Sequence, residues 1–146
     1  MKFRYPVMNI LMALALVVTA FARVQPVEAA DPPTSITTLG TAYTENFNTL
    51  ASSGTSSITP NGWYFAESGT NANTLYNTGT GSSNSGDTYS FGSTAVPTDR
   101  AFGGLLSGNL VPTIGAQYTN NSGFPIVQLD ISYTGEQWRL GTTGRA

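Results

Sequence analysis

Apolar and polar residues alternate along much of the chain, and the alternation is cleanest over residues 127–134. Valine, leucine, isoleucine and tyrosine occupy one side of this segment, at Val127, Leu129, Ile131 and Tyr133. A period of two is typical of an antiparallel strand with one buried face, so the pattern predicts such a strand here. A bulge at Gly135 would then return Trp138 and Leu140 to the core side.

Shorter segments repeat this alternation between clusters of Gly, Asn and Pro. Residues 59–62 are a strong turn signal, and after them Trp63 and Phe65 alternate with smaller or more polar neighbours, which predicts a strand with both rings facing a core. Residues 67–86 are rich in Ser, Gly, Thr and Asn and predict a long surface loop or a pair of weak edge strands. Further strands are predicted over residues 43–47, 88–91, 100–106 and 115–120.

The first 29 residues have the pattern of a secretory signal peptide. Lys2 and Arg4 precede an apolar stretch over residues 7–21, and small residues allow cleavage after Ala29. An uncleaved transmembrane anchor is the alternative, but Arg23 ends the apolar stretch before the roughly 20 residues that a spanning helix needs. We therefore expect a secreted protein that retains no stable transmembrane anchor.

The composition of the chain limits the catalytic and binding sites that it can form. It contains no cysteine and no histidine, which excludes Ser-His-Asp and Cys-His catalysis and the commonest zinc sites within this chain. After cleavage the basic residues are Arg100, Arg139 and Arg145, with no lysine, against seven carboxylates. Such a surface argues against binding of nucleic acid by this module.

These patterns divide the chain into a signal peptide over residues 1–29, a Pro/Thr/Ser-rich linker over residues 30–42 and one β-module over residues 43–146. Many short strands separated by Gly-rich corners predict an all-β fold, an antiparallel β-sandwich of jelly-roll type preceded by a signal-peptide helix.

Four motifs of the β-module resemble an N-terminal, jelly-roll-like β-sandwich of large bacterial secreted and cell-surface proteins. They are NGW at 61–63, GDTYSFG at 86–92, RAFG at 100–103 and YTGEQWR at 133–139. The resemblance covers residues 43–146 and implies a module that often precedes sorting signals, Ig-like repeats, lamin-tail domains or extracellular endonuclease domains. In that family the module continues with further strands, so we expect a truncated sandwich and further domains of a longer chain.

Candidate ligand-binding residues are aromatic or carry hydrogen-bonding groups. Tyr64 and Tyr76 could stack on a sugar ring, and Asn73, Gln137 and Arg139 could bond its hydroxyl groups. The competing interpretation of the last segment is structural, with Trp138 in the core and Arg139 paired to a carboxylate of a neighbouring strand.

Asp87, Asp99 and Asp130 are candidate calcium ligands, because calcium prefers several hard oxygens. Their spacing matches no compact calcium loop, and the first two also suit turns. We therefore expect no cofactor, with a structural calcium ion as the alternative.

The function expected from the sequence is that of a non-catalytic accessory module with a structural or adhesive role, whose partners are glycans or other cell-surface components. The alternative is the non-catalytic leading part of a secreted hydrolase such as an extracellular nuclease.

Overall fold

The computed structural model describes residues 32–140, which form eight β-strands and no helix. The strands are β1 Thr34–Ile36, β2 Thr55–Ser56, β3 Trp63–Ser68, β4 Tyr76–Gly79, β5 Asp87–Phe91, β6 Ala101–Leu105, β7 Val111–Ala116 and β8 Tyr118–Asn120. The prediction of an all-β fold is confirmed for this part of the chain. The predicted signal peptide lies outside the described residues, among which no helix has the length and hydrophobicity needed to span a membrane.

The strands form three sheets. A four-stranded sheet has the order β2-β4-β5-β6, β3 pairs with β7, and β1 pairs with β8. The β4–β5 and β1–β8 pairs are parallel, so the prediction of a wholly antiparallel arrangement is wrong. The connection between two parallel strands must run back along the length of a strand. Residues 80–86 can do this because β4 has four residues and is therefore only about 13 Å long. The segment predicted as a linker contributes β1.

An aromatic core lies between the β3–β7 pair and the four-stranded sheet. Phe65 of β3 meets Tyr76 of β4 and Phe102 of β6, with ring centroids 5.8 and 6.1 Å apart. Trp63 packs edge-on against Phe47 at 4.6 Å. The predicted inward direction of Trp63 and Phe65 is confirmed. Two layers with aromatic side chains between them are consistent with a β-sandwich.

Residues 43–47 were expected to form a strand but make a tight loop. The Glu45 carboxylate accepts a hydrogen bond from the backbone amide of Phe47 at 2.8 Å, and Phe47 has a φ of 62°. A side chain that bonds the backbone two residues ahead replaces the hydrogen bonds of a strand ladder. This local bond explains why the alternating pattern does not produce a strand here.

The segment with the cleanest alternation is not a strand in the described part of the chain. Val127 is 95% exposed and Tyr133 89% exposed, and no described strand pairs with residues 127–134. The predicted return of Leu140 to the core is also wrong, since its side chain is 86% exposed. Alternation shows that a segment could bury one face in a sheet, but a strand forms only where a partner supplies hydrogen bonds.

The serine- and glycine-rich stretch over residues 67–86 contains an interior strand. Its strand, β4, lies between β2 and β5. The prediction of a surface loop or weak edge strands is therefore wrong for Tyr76–Gly79. Tyr76 fixes this segment in place, because its side chain is fully buried and its hydroxyl group accepts from the Ala51 amide and donates to the Ile58 carbonyl.

Candidate functional site

The outer face of the β3–β7 pair carries an exposed aromatic ring. Side chains alternate along β3, so Tyr64 lies on the opposite face from the core residues Trp63 and Phe65. Tyr64 is 41% exposed. Its cross-strand partner is Gly115, which has no side chain to stand beside the ring.

Gly115 determines how the Tyr64 ring lies. A Cβ atom at Gly115 would be 2.5 Å from both Cζ and the hydroxyl oxygen of Tyr64, closer than non-bonded atoms approach. The ring therefore occupies the space that any other residue at position 115 would fill. The hydroxyl end of the ring therefore lies over β7, and part of the ring stays exposed to solvent.

The surroundings of Tyr64 are small and of mixed polarity. The next cross-strand pairs on the same face are Ala66 with Thr113 and Ser68 with Val111. A flat ring bordered by methyl groups and hydroxyl groups suits a ligand with both an apolar face and hydroxyl groups. We define Tyr64, Ala66, Ser68, Thr113 and Gly115 as the Tyr64 face.

The other predicted ligand residues do not join this face. Asn73 is exposed, but its backbone amide donates to Glu67 Oε2 at 3.0 Å, and Glu67 lies on the inner side of β3. Tyr76 has no exposed surface. Its assignment as a stacking residue is therefore corrected to one in the aromatic core.

Arg139 contacts the β4–β5 loop, and Gln137 bonds only to the backbone of Arg139 among the described residues. Arg139 donates through Nη1 to the Ser83 carbonyl at 2.6 Å and through Nη2 to the Asn84 side chain, whereas Gln137 donates to the Arg139 carbonyl at 3.2 Å. The predicted pairing of Arg139 with a strand carboxylate is wrong, because loop carbonyl groups take its donors. Trp138 stacks beside them on Phe91 and is half-buried.

The three candidate calcium ligands are dispersed. Asp87 is buried in β5, Asp99 is exposed in the loop before β6, and Asp130 is exposed and accepts from Gln128 at 2.8 Å. Within residues 32–140, no three acidic side chains come close enough to share a metal ion. These aspartates therefore form no common site in the described structure.

The fold brings together two carboxylates that sequence reasoning could not join. Asp87 follows the β4–β5 loop, and its carboxyl interacts with that of Glu67 on β3. Burial raises the pKa of Asp87, and the neighbouring Glu67 raises it further. The hydrogen bond from Asn77 lowers this pKa but does not outweigh the other two effects. Burial also opposes ionisation of Glu67, but hydrogen bonds from Asn73 and Thr88 outweigh it and lower its pKa.

This carboxyl pair is enclosed by its own hydrogen bonds. Glu67 Oε1 accepts from the amide and hydroxyl groups of Thr88, both at 2.8 Å, and Asp87 Oδ2 accepts from the Asn77 amide group. These bonds tie β5 to β3 and to β4. No sequence signal predicts the pair, because it depends on β3 packing against β5.

No family model, curated protein or solved structure matches this chain. The resemblance to a module of bacterial surface proteins therefore stays a prediction.

Proposed function

We propose that this chain is a secreted, non-catalytic β-sandwich module of jelly-roll type with an adhesive role in a longer extracellular or cell-surface protein, and that it binds carbohydrate. The signal-peptide pattern of residues 1–29 supports secretion. The absence of histidine and cysteine from the sequence supports a role in binding rather than catalysis.

One observation carries the proposal of carbohydrate binding. The hydroxyl end of the Tyr64 ring lies over Gly115 on an outer sheet face, and Tyr64 is 41% exposed. The C–H face of a sugar ring is apolar and packs on an aromatic ring, while its hydroxyl groups bond to nearby polar side chains. Thr113 and Ser68 supply hydroxyl groups on the same face.

Charge also favours a neutral ligand at the Tyr64 face. Its defined residues are aromatic, aliphatic or hydroxylic and include no ionisable acid or base other than the tyrosine phenol. Recognition there would depend on stacking and hydrogen bonds, which suits uncharged polysaccharides. Affinity at this face should therefore change little with salt concentration.

Affinity electrophoresis tests the proposal. The purified chain is run through native gels containing xylan, β-glucan or mannan, and at least one polysaccharide is expected to retard it. Tyr64→Ala is expected to abolish the retardation, and Tyr64→Phe to keep most of it because the ring remains. Tyr133→Ala is the matched control, since Tyr133 is 89% exposed on another segment.

Two results would contradict the proposal. Retardation that persists in Tyr64→Ala, or none with any polysaccharide, would remove the Tyr64 face as a carbohydrate site. Release of new reducing ends from a polysaccharide by the purified chain would contradict its non-catalytic role.

A further inference from the structure

An open pocket of about 210 Å³ lies where β4 and β5 end side by side. Most of its lining residues are hydroxylic or glycine, and it also includes one arginine, Arg100. The hydroxylic lining residues are Ser52, Thr78, Thr80, Ser93 and Thr94. The pocket is separate from the Tyr64 face, because none of its lining residues belongs to β3 or β7.

Arg100 is held rigidly in this pocket. Its side chain is only 6% exposed. Nε donates to the Ser90 hydroxyl group at 2.9 Å, Nη2 donates to the Ser90 carbonyl group, and the backbone amide donates to Asn48 Oδ1 at 2.9 Å. The guanidinium group therefore has a fixed orientation before any ligand arrives.

One nitrogen of this guanidinium group makes no hydrogen bond to the described residues. Among residues 32–140, Nη1 of Arg100 has no hydrogen-bond partner, although it is not completely enclosed. Nη1 lies against Gly92, where a Cβ atom would collide with it. Gly92 therefore leaves the space that this nitrogen needs beside the pocket.

The positive charge of Arg100 is not compensated within the described residues. Burial lowers the pKa of Arg100, and the titratable neighbour that acts on it is Tyr76 rather than a carboxylate. Ser90 supplies oxygen dipoles but no negative charge. Buried charges in proteins are ordinarily paired, because an unpaired ion loses its hydration without compensation.

We propose that the Arg100 pocket binds an oxyanion group, such as a sulfate, phosphate or carboxylate. Nη1 can donate to one oxygen of such a group with the charge of the guanidinium behind it, and the hydroxyl groups of Ser52, Ser93 and Thr94 can donate to the remaining ones. Free inorganic anions and anionic groups on an acidic polysaccharide share this chemistry. The site adds an anionic ligand to the neutral one proposed for the Tyr64 face.

Thermal unfolding of the full chain tests the site, with sodium sulfate replacing sodium chloride at constant ionic strength. Sulfate that binds the folded state is expected to raise Tm and to saturate. Thr94→Glu places a carboxylate at the pocket, so it should raise Tm in chloride alone and weaken sulfate binding by about tenfold or more. Thr37→Glu adds the same charge at an exposed position away from the pocket and is expected to respond like the wild type.

Dextran sulfate and uncharged dextran distinguish the sources of the anion. Binding of dextran sulfate but not dextran, lost in Thr94→Glu, would assign the pocket to a polymer-borne anion. A response to inorganic sulfate alone would assign it to a free ion. An equal, unsaturated rise of Tm in all three proteins would be a general effect of sulfate on folding, and that result, or no rise, would overturn the proposal. The dextran comparison is made in the Tyr64→Ala background, so that binding at the Tyr64 face does not contribute to either outcome.

Discussion

The indole ring of Trp138 stacks on the phenyl ring of Phe91, with centroids 5.9 Å apart and ring planes at 8°. This contact joins the last described segment to the end of β5. Beside it, the Trp138 carbonyl group packs against Gly81, which has a φ of +83°. Gly81 therefore meets two requirements that other residues meet poorly, the left-handed backbone and the close approach of a carbonyl group.

Gly81→Ala is expected to release this segment. A Cβ atom would collide with the Trp138 carbonyl group, so Trp138 should leave Phe91 and its fluorescence should shift to the red. Gly123→Ala is the matched control, since Gly123 has a φ of +79° but no atom near its Cβ position. An equal fluorescence spectrum in the two variants would contradict this account of the contact.

Phe102→Ala is expected to lower the free energy of unfolding by about 3 kcal/mol. The Phe102 ring contacts those of Phe47, Phe65 and Tyr76, so truncation leaves a cavity between the layers. Leu129→Ala should cost less than about 1 kcal/mol, because Leu129 is 58% exposed. Urea unfolding followed by circular dichroism compares the two. Equal costs would show that residues 127–134 contribute to the core.

Asp87→Asn is expected to change how stability depends on pH. Because the pKa of Asp87 is raised on folding, its ionisation destabilises the fold as pH rises through that pKa. The amide of the variant resembles the protonated carboxyl, whose share is larger at pH 4 than at pH 7, whereas at pH 7 the variant removes a buried charge beside Glu67. The Tm of the variant relative to the wild type should therefore be higher at pH 7 than at pH 4.

Differential scanning calorimetry at the two pH values checks this prediction. Asp99→Asn removes one carboxylate from an exposed loop and serves as the control for the change in net charge. A Tm difference for Asp87→Asn that is the same at pH 4 and pH 7 would show that the carboxyl pair is not coupled to folding.

Gly115→Ala is expected to weaken carbohydrate binding without unfolding the protein. The new methyl group would lie 2.5 Å from the Tyr64 ring, so the ring must tilt away from the sheet, and a flat stacking surface is lost. Gly135→Ala is the control, because nothing lies near its Cβ position. Affinity electrophoresis measures both, and equal retardation of the two variants would contradict the role given to Gly115.

Local sequence signals predicted the turn over residues 59–62 and the strand β3 that follows it. The turn over residues 59–62 forms, with the Trp63 amide donating to the Pro60 carbonyl at 2.9 Å, and β3 follows it with the expected alternation. These features depend on neighbouring residues and on burial of one face. The same alternation predicts that Tyr64 faces away from the core, and β3 has this arrangement.

Contacts between residues far apart in the sequence could not be predicted, for a physical reason. Residues 127–134 have the best alternation but no partner among the described strands, whereas β4 has little alternation and is held by Tyr76 and two neighbouring strands. Pairing partners, the carboxyl pair and the Arg100 pocket all depend on which strands meet. A single sequence carries no direct signal of that choice.

Nuclear magnetic resonance shows directly whether the Tyr64 face binds carbohydrate. The labelled chain is titrated with soluble oligosaccharides of glucose, xylose, mannose and N-acetylglucosamine. We predict that one of these ligands produces saturable shifts in the amide signals of Tyr64, Thr113 and Gly115, with little change in β5. Saturable shifts confined to other residues, or no shifts with any oligosaccharide, would contradict carbohydrate binding at the Tyr64 face.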